Sequence, residues 1–171
     1  MSSYVALLRG VNLMGGTTLR MADLKSIAEE LGLEHARTFI ASGNLLFNSR
    51  KSEAAIKSAL EAAIRKHMSR DVGVMVRTAA EMAEVAEANP FAEEPGNKVV
   101  AIFLDKAPPK DAIEAAKNVA DERMALGTRE IYVHYPSGQG KSKLRIPAAA
   151  SGTARNMNSV RKMAELAEEV A

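Results

Sequence analysis

The sequence predicts an α+β protein made of two similar halves. Three observations carry that expectation. Residues 4–8 (YVALL) and 99–104 (VVAIFL) are apolar at every position rather than alternating, which marks strands covered on both faces. Helical spacing of apolar residues alternates with short strand-like runs across residues 1–77 in the order β-α-β-β-α-β. The same order, without its last strand, recurs over residues 98–171. No residue-level repeat is visible, so duplication rests on element order alone.

The first strand ends at Arg9 and opens into a loop of glycines with one asparagine. Met21, Leu24, Ile27, Ala28 and Leu31 then recur at helical spacing, with Gly32 placed to end the helix. Residues 37–41 read as a strand, Ser42-Gly43-Asn44 as a tight turn, and 45–48 as the returning strand. Ser52 caps a helix whose apolar face runs Ile56, Ala59, Leu60, Ala63, Ile64, His67 and Met68. Residues 72–76 form a further strand. This order is that of the ferredoxin-like plait.

Thr78 and Glu81 make a capping box for a short helix that stops at Asn89-Pro90. A loop with Pro95 and Gly96 leads to the apolar strand at 99–104. Pro109 suits the first turn of a helix containing Ile113, Ala116 and Ala120. Residues 130–135 are a strand by composition, and 143–146 are expected to pair back with it. A helix with Val160, Met163, Ala164, Ala167 and Val170 closes the chain. The expected organisation is therefore a first ferredoxin-like half at 1–77, a connecting helix and loop at 78–97, and a second, incomplete half at 98–171.

At YVALLRGVNLMGG, ASGNLLF, the NPF of 89–91 and the TARNMNSV of 153–160, the chain resembles the bacterial domain of unknown function 1697 family over nearly its whole length. The resemblance implies an α+β fold of ferredoxin-like subdomains and brings no established activity, so no catalytic roles transfer. Met157 departs from the family pattern, where a larger aromatic is expected; the difference bears on packing more than on chemistry.

Composition bounds the function. The 171 residues carry 23 Lys+Arg against 21 Asp+Glu, so bulk charge does not call for a nucleic-acid partner. With no cysteine there is no disulfide framework, thiolate catalysis or Cys-ligated zinc. No apolar run approaches a membrane span, and the N-terminus lacks a basic region followed by an apolar core, so a cytoplasmic protein is expected. His35, His67 and His134 are scattered without metal spacing, and no metal or cofactor is implied. Tyr4, Phe39 and Phe47 are too few for the aromatic platform of a single-stranded RNA binder.

The plait order itself points to a site. Strands one and two run the same way, so their C-terminal ends share an edge, and strand three starts there. The loop at 10–20 should therefore meet the turn at 42–44, gathering Arg9, Asn12, Ser42 and Asn44. The competing account is that these are turn residues selected for backbone freedom. No acid occurs before Asp23, between Glu34 and Glu53, or between Glu130 and Glu165. The last window holds Lys141, Lys143 and Arg145 as phosphate-contact candidates, together with Arg155. Asn156 or Asn158 can cap the final helix, whose free N–H groups beside Arg155 favour an anion. Gly138-Gln139-Gly140-Lys141-Ser142 resembles half of a Walker A loop but lacks its first glycine and the helix that should follow.

The expected function is binding of an anionic small molecule or nucleotide at the Gly/Asn/Arg loop edge. Arg9 and Arg155 would pair with phosphate or carboxylate, and the asparagines would fix orientation. The alternatives are a non-enzymatic, homodimerising interaction module, and contact of the basic C-terminal segment with a nucleic-acid backbone. A third is an enzyme whose substrate supplies most of the reactive groups. No reaction is assigned.

Overall fold

The computed structural model describes residues 1–11, 19–39 and 43–169. The chain divides into two compact units, Met1–Met82 with the segment from Met163 onward, and Ala83–Lys162. The fold is α+β, with two four-stranded antiparallel sheets.

In the first unit β1 (Ser2–Leu8), α1 (Met21–Glu30), β2 (Glu34–Thr38), β3 (Asn44–Ser49), α2 (Glu53–Met68) and β4 (Val74–Thr78) follow the expected order. The sheet runs β2-β3-β1-β4, the ferredoxin-like arrangement. Tyr4, Ala6 and Leu8 of β1 pack with Leu45 and Phe47 of β3 against Leu24 and Ile27 of α1 and Ile56, Leu60 and Ile64 of α2. Tyr4 stacks on Phe47 at 5.8 Å. Val5 and Leu7, pointing the other way, are also buried, so β1 is covered on both faces as its unbroken apolar run predicts.

The local signals act as chemistry requires. The N–H groups of Gly32 and Leu33 bond back to Glu29 and Ala28, closing α1 in a Schellman motif. Ser52 Oγ accepts the Ala55 N–H at 3.2 Å and caps α2. The helix α3 (Ala79–Glu87) opens on the reciprocal box: Thr78 N–H donates to Glu81 Oε1 (2.9 Å), and Glu81 N–H to Thr78 Oγ1 (3.1 Å).

The second sheet contains β5 (Val99–Phe103), β6 (Arg123–Leu126), β7 (Glu130–His134) and β8 (Thr153–Asn156), in the order β6-β7-β5-β8; α4 (Met157–Glu169) follows. Three expectations are corrected here. No helix forms after Pro109: residues 110–115 make turns, and Lys117 pairs with Arg145 through N–H···O bonds of 2.7 and 2.9 Å. Of the large apolar residues that a helix over 109–120 would present, only Ile113 belongs to the expected face. Alanine burial adds little there, and the tertiary bridge takes the backbone instead. Residues 143–146 supply only that isolated bridge, and the hairpin partner of β7 is β6, upstream of it. The fourth strand is present, as β8, where only caps were expected. What the second half lacks is α-helices between its strands, not a strand. Ala112, Leu144, Ile146, Ala148 and Ala149 pack on Val100, Ile102, Ile131 and Val133.

The registers of the two sheets also coincide. Val5 of β1 lies opposite Leu46 and Arg77, and Ala101 of β5 lies opposite Tyr132 and Arg155. Placing Val5 on Ala101 thus gives each ladder position of β5 a counterpart on β1.

Candidate functional site

In the first unit the described part of the predicted edge brings the end of β1 to Gly43 and Gly73. Leu7 pairs with Asn44 and Leu8 with Val74, so the end of β1 lies between the starts of β3 and β4. Leu8 N–H donates to Gly43 O at 2.8 Å, and Arg9 N–H to Gly73 O at 2.9 Å. Gly43 has φ +86°, and a Cβ there would lie 3.0 Å from Leu8 Cβ, so the turn needs glycine for both conformation and room. Arg9 and Gly10 are exposed. Arg70 is exposed as well, and its Nη2 reaches Gly10 O at 3.4 Å. Asp71 beside it is paired with Arg65 at 3.3 Å.

Of the four residues expected at this edge, Asn12 and Ser42 lie outside the described residues. Arg9 is at the rim. Asn44 is fully buried, and its Nδ2 donates to Phe39 O at 2.9 Å, tying the two arms of the hairpin together. Arg70 was missed. The plait order contains the signal for it: β4 is antiparallel to β1, so the residues preceding β4 belong to the same edge.

The candidates of the second unit are dispersed. Arg155 is on β8, only 6% exposed, and its Nη1 donates to Thr153 Oγ1 (2.7 Å) and Ala154 O (2.9 Å). Burial lowers its pKa to about 10. It therefore does not face solvent beside the helix end, because alternation along β8 turns Thr153 and Arg155 inward. Asn156 Oδ1 accepts the Ser159 N–H at 2.9 Å and caps α4. Asn158 is exposed, with its amide oxygen over the α-carbon of Gly96. Lys141, Lys143 and Arg145 are exposed. Lys141 and Lys143 line a cleft of about 610 Å³ with residues 118–122.

A polar cluster that sequence spacing did not suggest surrounds His134, which is buried on β7. Arg123 Nη2 lies 3.0 Å from its Nδ1 and Glu94 Oε2 lies 3.2 Å from its Nε2. An arginine only donates, so Nδ1 accepts and the proton sits on Nε2, aimed at Glu94. Arg123 also lies 5.0 Å over the Phe91 ring, and Phe91 N–H donates to Asn89 Oδ1. With both imidazole nitrogens occupied, His134 anchors the loop after α3 rather than offering a base. Among the described residues, no three acidic or histidine side chains gather as a metal site. No described helix is long and apolar enough to cross a membrane.

Fold and site together define an α+β protein of two plait-like sheets with a glycine- and arginine-bearing loop edge. The chain belongs to the DUF1697 family of proteins of unknown function, whose model matches residues 1–132. It is similar over 97% of its length to a conserved bacterial protein, SP0830, from Streptococcus pneumoniae. That likeness covers 98% of the pneumococcal chain, with a TM-score of 0.79 and 23% identity, and it speaks to the fold. No curated protein matches the sequence.

Proposed function

We propose that the chain binds an anionic small molecule, a phosphorylated metabolite or a nucleotide, at the loop edge of the first unit. The supporting observation is that Arg9 and Arg70, both exposed, flank the Gly10 backbone where β1, β3 and β4 meet. Two guanidinium groups suit a phosphate or carboxylate because each offers a fork of N–H donors. Asn44 contributes by holding the turn, while Asn12 and Ser42 are the polar groups that would orient the ligand. The reading places the protein in the cytoplasm, where such metabolites are abundant.

Thermal unfolding against a panel of nucleotides, sugar phosphates and short oligonucleotides tests this. A ligand that binds only the folded chain adds about 2.7 kcal/mol at a hundred times its Kd. The expected result is a phosphate-bearing hit that Arg9→Ala or Arg70→Ala abolishes and Lys110→Ala leaves intact. A panel in which no hit responds to either arginine would overturn the reading, as would no hit with a concentration-dependent dimer in sedimentation.

A further inference from the structure

We propose a second, independent binding site in the other unit: the cleft between residues 118–122 and 137–143, which takes a hydroxyl-bearing phosphate monoester. The cleft is about 610 Å³, within the range of pockets that hold small metabolites. Two hydrogen bonds hold its walls together. Ser137 Oγ donates to Asp121 Oδ2 and Ser142 Oγ to Glu122 Oε2, each at 2.5 Å. The Ala120 N–H donates to Glu122 Oε1 at 2.7 Å. The Ser142 hydroxyl, and then the Ala120 amide, hold the Glu122 carboxyl below the usual carboxylate range. Glu122 therefore spends both oxygens on structure, and the cleft keeps its shape without a ligand.

The lysines are left over. Lys141 and Lys143 line the cleft, and among the described residues neither has an acid within ion-pair distance. Unpaired ammonium groups on a shaped wall suit the three acceptor oxygens of a phosphate. Nothing lies within 4 Å of where a Cβ would stand at Gly138 or Gly140, so a ligand can approach that backbone closely. On the facing wall Asn118 adopts a left-handed turn (φ +58°), and Val119 after it stays 48% exposed although apolar. Val119 offers the ligand body a surface. Asp121, with one oxygen unused by Ser137, accepts a hydroxyl and disfavours a bare phosphate dianion. The half-Walker sequence thus contributes its lysine without the helix that a P-loop needs.

Amide chemical shifts of the whole chain, titrated with ribose 5-phosphate, test the site. The expected result is saturable shifts in residues 118–122 and 137–143, separate from any at Gly10, Arg70 and Gly73, weaker with inorganic phosphate and absent with ribose. Lys141→Ala with Lys143→Ala should together weaken binding roughly a hundredfold, about tenfold for each charged hydrogen bond lost. Both lysines are exposed, and an unchanged circular-dichroism spectrum confirms that the variant folds. Equal affinity in the double variant, equal shifts with ribose, or no saturable shift in these segments would overturn the site. Arg9→Ala should leave this titration unchanged. Shifts restricted to Gly10, Arg70 and Gly73 would overturn the second site while supporting the first.

Discussion

Tyr132 illustrates what a single side chain contributes to this fold. It sits on β7, 2% exposed, with its ring against Gly127 and its hydroxyl donating to Val85 O at 2.7 Å. Burial, with Glu130 and Glu84 adding to it, pushes its pKa up to about 12. The unfolded chain releases this proton near pH 10, whereas the folded one retains it until about 12. Between those values the folded state binds more protons, so stability is complete below pH 10 and falls as pH rises through 12. Denaturant titrations of the protein and of Tyr132→Phe, from pH 9 to 12, should show their difference shrinking by on the order of 2 kcal/mol. Comparing the two chains cancels contributions such as that of Tyr135, whose hydroxyl burial also shifts upward. A constant difference would show that the hydroxyl ionises in place. Residue types were legible here, but environments were not. Asn44 reads as a turn residue and lies buried as a brace. Arg155 reads as a surface cation and lies inside a strand. Sequence supplies a side chain's donors, while its solvent exposure is decided by strand register.

At the scale of elements, legibility followed the strength of the local signal. The first plait was readable because each helix carries three or four large apolar residues on one face and one recognisable boundary, Gly32 after α1 and Ser52 before α2. Strands β6 and β8 escaped notice because each has only four residues, and neither shows an apolar alternation. In β8 the inward positions are Thr153 and Arg155, which defeats any reading by hydrophobicity. The region after Pro109 has strong intrinsic helix preference and still forms turns, an instance of tertiary pairing overriding propensity. Caps behave more predictably. Thr78 and Asn156 each stand at the last residue of a sheet's fourth strand and cap the helix that follows. Thr78→Ala and Asn156→Ala should each cost about 1 kcal/mol, with Thr78→Ser and Asn156→Asp retaining most of it. Chemical denaturation checks this. Equal losses in the Ala and the conservative variants would mean that these positions matter for strand pairing rather than for capping.

Across the whole molecule, residues at corresponding ladder positions give a finer comparison of the two sheets than element order does. Superposing β1 on β5 makes Arg77 equivalent to Arg155, Thr78 to Asn156, Asn44 to Glu130 and Asn48 to His134. Six of these eight are buried, polar residues, while the half-buried Thr78 and Asn156 are the caps. The two halves therefore share polar positions even though their apolar residues differ, which is why no repeat could be seen by matching letters. The arginines are the sharpest case. Arg77 is 1% exposed and its Nη1 donates to Val76 O at 3.0 Å; Arg155 makes the corresponding bond to Ala154 O at 2.9 Å. Each guanidinium thus folds back on the carbonyl of the residue before it. A buried arginine brings packing as well as charge, and its removal strands the acceptors it served. Arg77→Ala and Arg155→Ala should accordingly each lower the free energy of unfolding by about 2–4 kcal/mol, among the larger single-site effects. Lysine should rescue neither, because a point-like ammonium does not reproduce the planar fork. By contrast, Arg50→Ala, at an exposed position, should shift stability by no more than about 0.5 kcal/mol. If one buried arginine proves costly and the other silent, the correspondence is geometric only. Parallel losses would mean that both sheets depend on the same device.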